Sequence, residues 1–153
     1  MKLLFIKTFI FLLMFTYSAK AQPVVKDYNK LVDQFFSLYS SGKLAEAVNY
    51  IYSTNPWMKQ KTDSITKVKS TILGLSAMAG EYQEYKILTH EIVDSRYVHM
   101  DVAVYYDRQP FRFYFQFYRT KNGWITNSFG LQDDLDDWIT EKAKNKFLYF
   151  RGY

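Results

Sequence analysis

The sequence predicts an α+β fold, with N-terminal helices packed on a curved antiparallel four-stranded sheet and a further helix at the C-terminus. Three observations predict it. From Tyr97 to Leu131, apolar and polar residues alternate with period two, broken at Asp107-Arg108-Gln109-Pro110 and at Lys121-Asn122-Gly123. That is the pattern of consecutive antiparallel strands joined by turns. Before it, between Asp27 and Ala79, apolar residues recur at helical spacing. After it, four acids and then Lys142, Lys144 and Lys146 flank one more helical stretch, an order that complements a helix macrodipole.

The first residues stand apart from this domain. Lys2 and Lys7 precede an apolar run from Phe9 to Phe15, and Ser18-Ala19-Lys20-Ala21 supplies an Ala-x-Ala cleavage signal. Residues 1–21 therefore read as a secretory signal peptide cut after Ala21. The apolar run is short for a membrane span of about 20 residues. The mature chain, residues 22–153, is expected to be secreted or periplasmic, with its core in 27–131 and a helix and aromatic tail in 132–153. Cleavage removes three lysines and no acids, so the formal charge falls from +5 to about +2. The chain has no cysteine, which excludes disulfides, thiol catalysis, thiolate metal sites and a lipidated-cysteine anchor. A small exported protein without disulfides depends on its core, which fits a bacterial periplasm. Two histidines make a zinc site a poor expectation. No cofactor is implied, and no basic run alternating with aromatics points to a nucleic-acid partner.

The elements follow in order. Tyr28, Leu31, Val32, Phe35, Leu38 and Tyr39 share one face of a helix over 27–40, ended by Ser41-Gly42. Leu44, Ala47, Val48 and Ile51 stripe a shorter helix that Thr54-Asn55-Pro56 stops. Trp57 and Met58 fall in the next loop; Trp57 is expected either tucked onto the core or on a pocket rim. Asp63 is the expected N-cap of a third helix striped by Ile65, Val68, Ile72, Leu75 and Ala79, with Gly80 at its end. Tyr82 to Val93 reads as the first strand, turned by Asp94-Ser95-Arg96 into the second. In the last helix, Leu131, Leu135, Trp138, Ile139 and Ala143 form the expected stripe. Its acids lack the spacing of a calcium loop. The tail Phe147-Leu148-Tyr149-Phe150 is apolar enough to pack on the sheet or on a second copy.

For the central hairpin, pairing Tyr106 with Phe111 sets Val104, Val102 and Met100 opposite Phe113, Phe115 and Phe117. All large apolar side chains then share one face. The other face pairs His99 with Tyr118, Asp101 with Gln116, Ala103 with Tyr114 and Tyr105 with Arg112. It reads either as a solvated face or as the polar lining of a concave pocket. At Lys121-Asn122-Gly123, a strict two-residue loop would turn Trp124, Thr126 and Ser128 onto the phenylalanine face. A longer loop or a bulge would turn Ile125, Phe129 and Leu131 there, and this buries more apolar surface.

The stretch FFSLYSSGKLAEAVNYI resembles the opening of the nuclear transport factor 2-like (NTF2-like) superfamily, and RFYFQFYRTKNGWITNSF resembles its late hairpin. The likeness covers roughly 27–131 and implies the cystatin-like cone of small secreted bacterial members. Unlike the larger family, the chain has no strand pair between its early helices. The superfamily hosts isomerases, cyclases and non-catalytic binding proteins, so the fold alone does not select a function.

Two functional expectations follow. The first is a non-catalytic domain that grips a small apolar ligand or an envelope protein, with Trp57, Tyr105, Arg112, Gln116 and Tyr118 as ligand-binding candidates. A homodimer through the sheet is compatible with this architecture. The second resembles the ketosteroid isomerase and SnoaL-type members, with Asp101 as acid or base, assisted by His99 and Tyr114. That role needs a carboxyl whose pKa is raised in an apolar pocket. Alternate strand residues stand about 6.6–7 Å apart, so His99 and Asp101 are expected to flank one ligand without touching.

Overall fold

A computed structural model describes residues 26–150, with Lys59 and residues 147–150 described by backbone alone. The expected signal peptide lies outside this range, as do the side chains of the aromatic tail. The order is α1 (Asn29–Ser40), α2 (Leu44–Ser53), a 3-10 turn (Pro56–Gln60), α3 (Thr62–Ala79), β1 (Tyr82–Asp94), β2 (Tyr97–Tyr106), β3 (Phe111–Thr120), β4 (Gly123–Gln132) and α4 (Leu135–Phe150). The strands form one curved, open antiparallel sheet in the order β1-β2-β3-β4. This is the expected α+β class. The 3-10 turn, not a strand pair, stands between α2 and α3. No described helix is long and apolar enough to cross a membrane.

Local chemistry sets the helix ends. Gly42 takes φ +74°, and the amides of Gly42 and Lys43 bond back to Tyr39 O and Leu38 O at 3.0 Å each. That closes the last turn of α1 in a Schellman arrangement. Asn55 accepts from the Trp57 amide at 3.0 Å and so caps the 3-10 turn, with Pro56 pre-set in its first position. Asp63, expected as the cap of α3, lies inside its first turn, where its charge complements the helix dipole. Trp57 is not tucked onto the core: it is 72% exposed, and Met58 takes the buried place at 7%. A 3-10 turn points neighbouring residues to different sides, and only one of the two can face inward.

The faces of the central hairpin are as expected, but its register is displaced by two residues. Val104 pairs with Phe111, Val102 with Phe113, Met100 with Phe115 and Val98 with Phe117. A shift of two preserves which face each side chain occupies. The cause is the turn. Tyr105 and Tyr106 pair with β1 instead, and Asp107 and Arg108 close the end of α3. The Arg108 amide donates to Ala79 O at 2.9 Å, and its guanidinium donates to Ala77 O and Met78 O. Asp107 exchanges bonds with the Glu81 backbone. Pro110, which has no amide hydrogen, closes the loop.

The β3–β4 turn combines the two alternatives. Thr120 pairs with Gly123 across a two-residue loop, which puts Trp124 and Thr126 on the phenylalanine side. A bulge at Asn127 then switches the parity, so Phe129 and Leu131 join the same side. Ile125 does not; it lies opposite Tyr118 on the polar face.

The phenylalanine face is the core. Phe113, Phe115 and Phe117 are fully buried against α1. Phe35 meets Phe115 edge-on at 5.4 Å, Phe36 stacks on Tyr85 at 3.8 Å, and Phe129 closes against Phe35 at 4.9 Å. Helix α4 crosses the opposite face. It presents Leu135, Trp138 and Lys142 to the sheet, while Ile139 and Ala143 of the expected stripe are exposed. The sheet face it covers is polar, so its inward side carries a cation and an indole.

Phe115→Ala should cost about 3–5 kcal/mol, because the ring leaves a cavity that four aromatic neighbours cannot refill. A denaturant titration measures it; a loss under about 1 kcal/mol would mean that the ring is not packed as described.

Candidate functional site

The polar face concentrates its charge at one point. Asp101 is 2% exposed, and Arg112, one strand away, is 9% exposed. Arg112 NH1 donates to Asp101 Oδ1 at 2.7 Å. Its other edge grips Asp134 in a fork, Nε to Oδ1 at 2.9 Å and NH2 to Oδ2 at 2.7 Å. NH2 also donates to Gln132. The Trp138 ring lies 5.9 Å from the guanidinium carbon. A bulge in β1 at Leu88 turns Thr89 onto this face, where its hydroxyl donates to Asp101 Oδ2 at 2.8 Å. His99 Nε2 reaches the same oxygen at 3.1 Å, with Gln116 Nε2 3.4 Å from its Nδ1.

Buried charge is costly unless it is paired and fully hydrogen-bonded, and here it is both. Burial pushes the Asp101 carboxyl up, but the bonds from His99, Thr89 and Arg112 outweigh it and hold the group down to about 2. Asp134 is likewise held below its ordinary value by the Arg112 guanidinium. The raised pKa that an acid–base role for Asp101 requires is not found. Nor do His99 and Asp101 flank a gap. Their side chains bend toward each other and touch, because the Oδ2 atom needs donors.

The other candidates disperse. Tyr114 is paired with Asp101 in register but leans away over Gly130, where any added Cβ would lie 2.5 Å from its hydroxyl. Gly130 has no side chain, so the ring covers its backbone. With Lys67, Val68 and Thr71 of α3, Tyr114 lines a shallow groove of about 200 Å³ beside Phe129 and Leu131. Tyr118 lies under the guanidinium of Arg96, 5.1 Å from the ring centre. Tyr105 is half-buried beside β1, and Trp57 sits on the 3-10 turn beyond α2. Of the expected site residues, His99, Asp101, Arg112 and Gln116 come together.

Asp134 and Gln132 complete that cluster and were not singled out in the sequence. Arg112 carried the available signal, because an arginine within an aromatic strand requires a carboxylate partner. A second cluster was equally hidden. Thr126 in β4 has its amide bonded to Thr54 Oγ1 at 2.9 Å and its carbonyl to Asn55 Nδ2 at 2.9 Å. Tyr52 donates to Phe129 O at 2.7 Å. Side chains from the end of α2 thus occupy the middle of the β4 edge. Among the described residues, β1, at the other edge, has no strand on its outer side. Ile87, Ile92 and Val93 along it are 51%, 64% and 68% exposed.

Comparison with known protein families, curated proteins and solved structures finds no match to this chain.

Asp101 titrates near 3.8 when unfolded and about 2 when folded. Its contribution is complete above the higher value and is lost as the pH falls through the lower one, about 2 kcal/mol in all. Asp101→Asn should cost about 3–5 kcal/mol near neutral pH by leaving the Arg112 charge under-paired. It should also flatten the fall in stability between pH 4 and 2. An acid limb identical to that of the parent would show that Asp101 does not hold this charge.

Proposed function

We propose that the chain is an exported, non-catalytic interaction domain of NTF2-like type, and that it engages an envelope protein along the outer edge of β1. The contrast between the two sheet edges supports this most directly. An unpaired edge invites another strand, and proteins usually cover it. The β4 edge is occupied by Thr54 and Asn55. Among the described residues, the β1 edge is open and carries three exposed apolar side chains. Register breaks in β1 leave two short regular runs, Glu84–Ile87 and Thr89–Ile92, which limits indiscriminate pairing while leaving each run long enough to receive a short partner strand.

Two further features favour a protein partner. The phenylalanine face is filled by α1 and α2, and the groove beside Tyr114, about 200 Å³, falls below the roughly 300 Å³ at which ligand pockets begin. For the isomerase-like alternative, Asp101 is an anion whose two oxygens already accept three donors.

A photo-crosslinking residue in place of Ile92, in the native host, should give one discrete product with an envelope protein, and the same residue in place of Asn127 on β4 should not. Val93→Lys should weaken the captured product about tenfold, the effect of 1.4 kcal/mol. A product from Asn127 alone, or purification with neither partner nor ligand, would contradict this reading. A product between two copies of the chain would replace the envelope partner with self-association.

A further inference from the structure

The β1–β2 and β3–β4 turns meet at one end of the sheet, and four cations gather there: Lys26, Arg96, Arg119 and Lys121. Among the described residues, none of the four has a carboxylate within salt-bridge distance. Residues 1–25 contain no acid at all. Asp94, the nearest acid in sequence to Arg96, is spent on that residue's amide at 2.6 Å.

The arginines are held in place. The Arg119 amide donates to Arg96 O at 2.8 Å, and Arg96 Nε donates to Arg119 O at 3.3 Å, so the two turns are stitched together. The Arg96 guanidinium lies over Tyr118 and that of Arg119 lies 6.0 Å from the Trp124 ring centre. Arg96 NH2 also donates to Tyr118 Oη at 2.5 Å, so its NH1 edge is the one left for a ligand, while the Arg119 guanidinium is oriented by the ring beside it. Two depressions, of about 300 and 380 Å³, flank a shared ridge of Arg119, Thr120 and Lys121. Ser95 and Arg96 line the first, and Lys26, Gly123 and Trp124 line the second.

We infer that this end binds a phosphate-bearing ligand, with a phosphoryl group on the Arg96–Arg119–Lys121 ridge. Four cations with no carboxylate partner among the described residues, gathered around one ridge, match a group carrying two or more negative charges better than a single carboxylate does. The opposite end of the sheet carries Asp107, Asp133, Asp136 and Asp137, so the basic end is a local feature and not a consequence of net charge. The resulting field orients an anionic ligand toward the turns. The site is independent of the β1 edge, and either can fail without the other.

Pyrophosphate titrated into 15N-labelled residues 22–153 at low ionic strength should bind saturably and shift the amides of Arg96 and of Arg119 to Gly123. Arg96→Gln with Arg119→Gln should weaken binding at least about tenfold. Lys121→Gln, whose side chain stacks on no ring, should weaken it without changing the thermal midpoint. Sedimentation with phosphatidic acid vesicles distinguishes the sources. Vesicle binding far tighter than pyrophosphate binding assigns a lipid headgroup, and vesicle binding no tighter assigns a soluble phosphate compound. The inference is overturned if neither probe binds, if Lys121→Gln and the double substitution bind as the parent does, or if the cations instead serve a salt-sensitive association between copies with no phosphate bound.

Discussion

The packing of Phe113, Phe115 and Phe117 against α1 is the constraint on which the rest of the molecule depends. Phe113 and Phe115 meet Phe35 and Phe36 from one helix, Phe117 stacks on Tyr28 just before that helix, and Phe129 closes the far side. Once these rings face the helices, period-two geometry leaves no choice about the alternate residues. Asp101, Arg112, Tyr114 and Gln116 must stand on the opposite face. The polar cluster is thus a consequence of the core, and α4 is the element that resolves it. Asp134, just before α4 begins, supplies the second carboxylate for Arg112. Lys142, two turns on, pairs with Glu91 at 3.0 Å.

This arrangement shapes what the protein can do. One face of the sheet is filled with rings, and the centre of the other is locked by a satisfied ion network. In that network Asp101 is a paired anion and not a free acid or base in a dry pocket. Among the described residues, what the fold leaves available is its perimeter: an open strand edge on one side and, at the turns, a cluster of cations with no carboxylate partner. Both are the surfaces on which the proposed recognition roles rest.

The sequence made the faces legible and the partners illegible. Alternation from Val98 to Phe117 was enough to assign every side chain to a side, because parity survives a shift of two. It was not enough to choose between registers two residues apart. That choice depended on Asp107 and Arg108 closing the end of α3, a contact between residues about 30 positions apart. The bulge at Asn127 was legible only as one of two alternatives, and the structure uses both in succession. His99, Asp101, Arg112 and Gln116 were found because they share a face within one hairpin. Asp134 was visible only as a helix-start acid, since its pairing depends on where α4 crosses the sheet. Thr54 and Asn55 looked like helix stops, and stopping the helix is part of their role; covering the β4 edge is the other part. The basic end escaped because its four cations come from three separate segments, and its aromatic supports are adjacent only after the turns meet.

Residue-resolved amide hydrogen exchange on isolated residues 22–153 tests the central claim most directly. The account predicts that amides of β2, β3 and the inner half of α1 exchange only through global unfolding, and that the Thr126 amide is protected by Thr54. Alternate amides along the outer side of β1 should exchange orders of magnitude faster. Uniform protection along β1, or exchange in β2 and β3 as fast as at that edge, would contradict it.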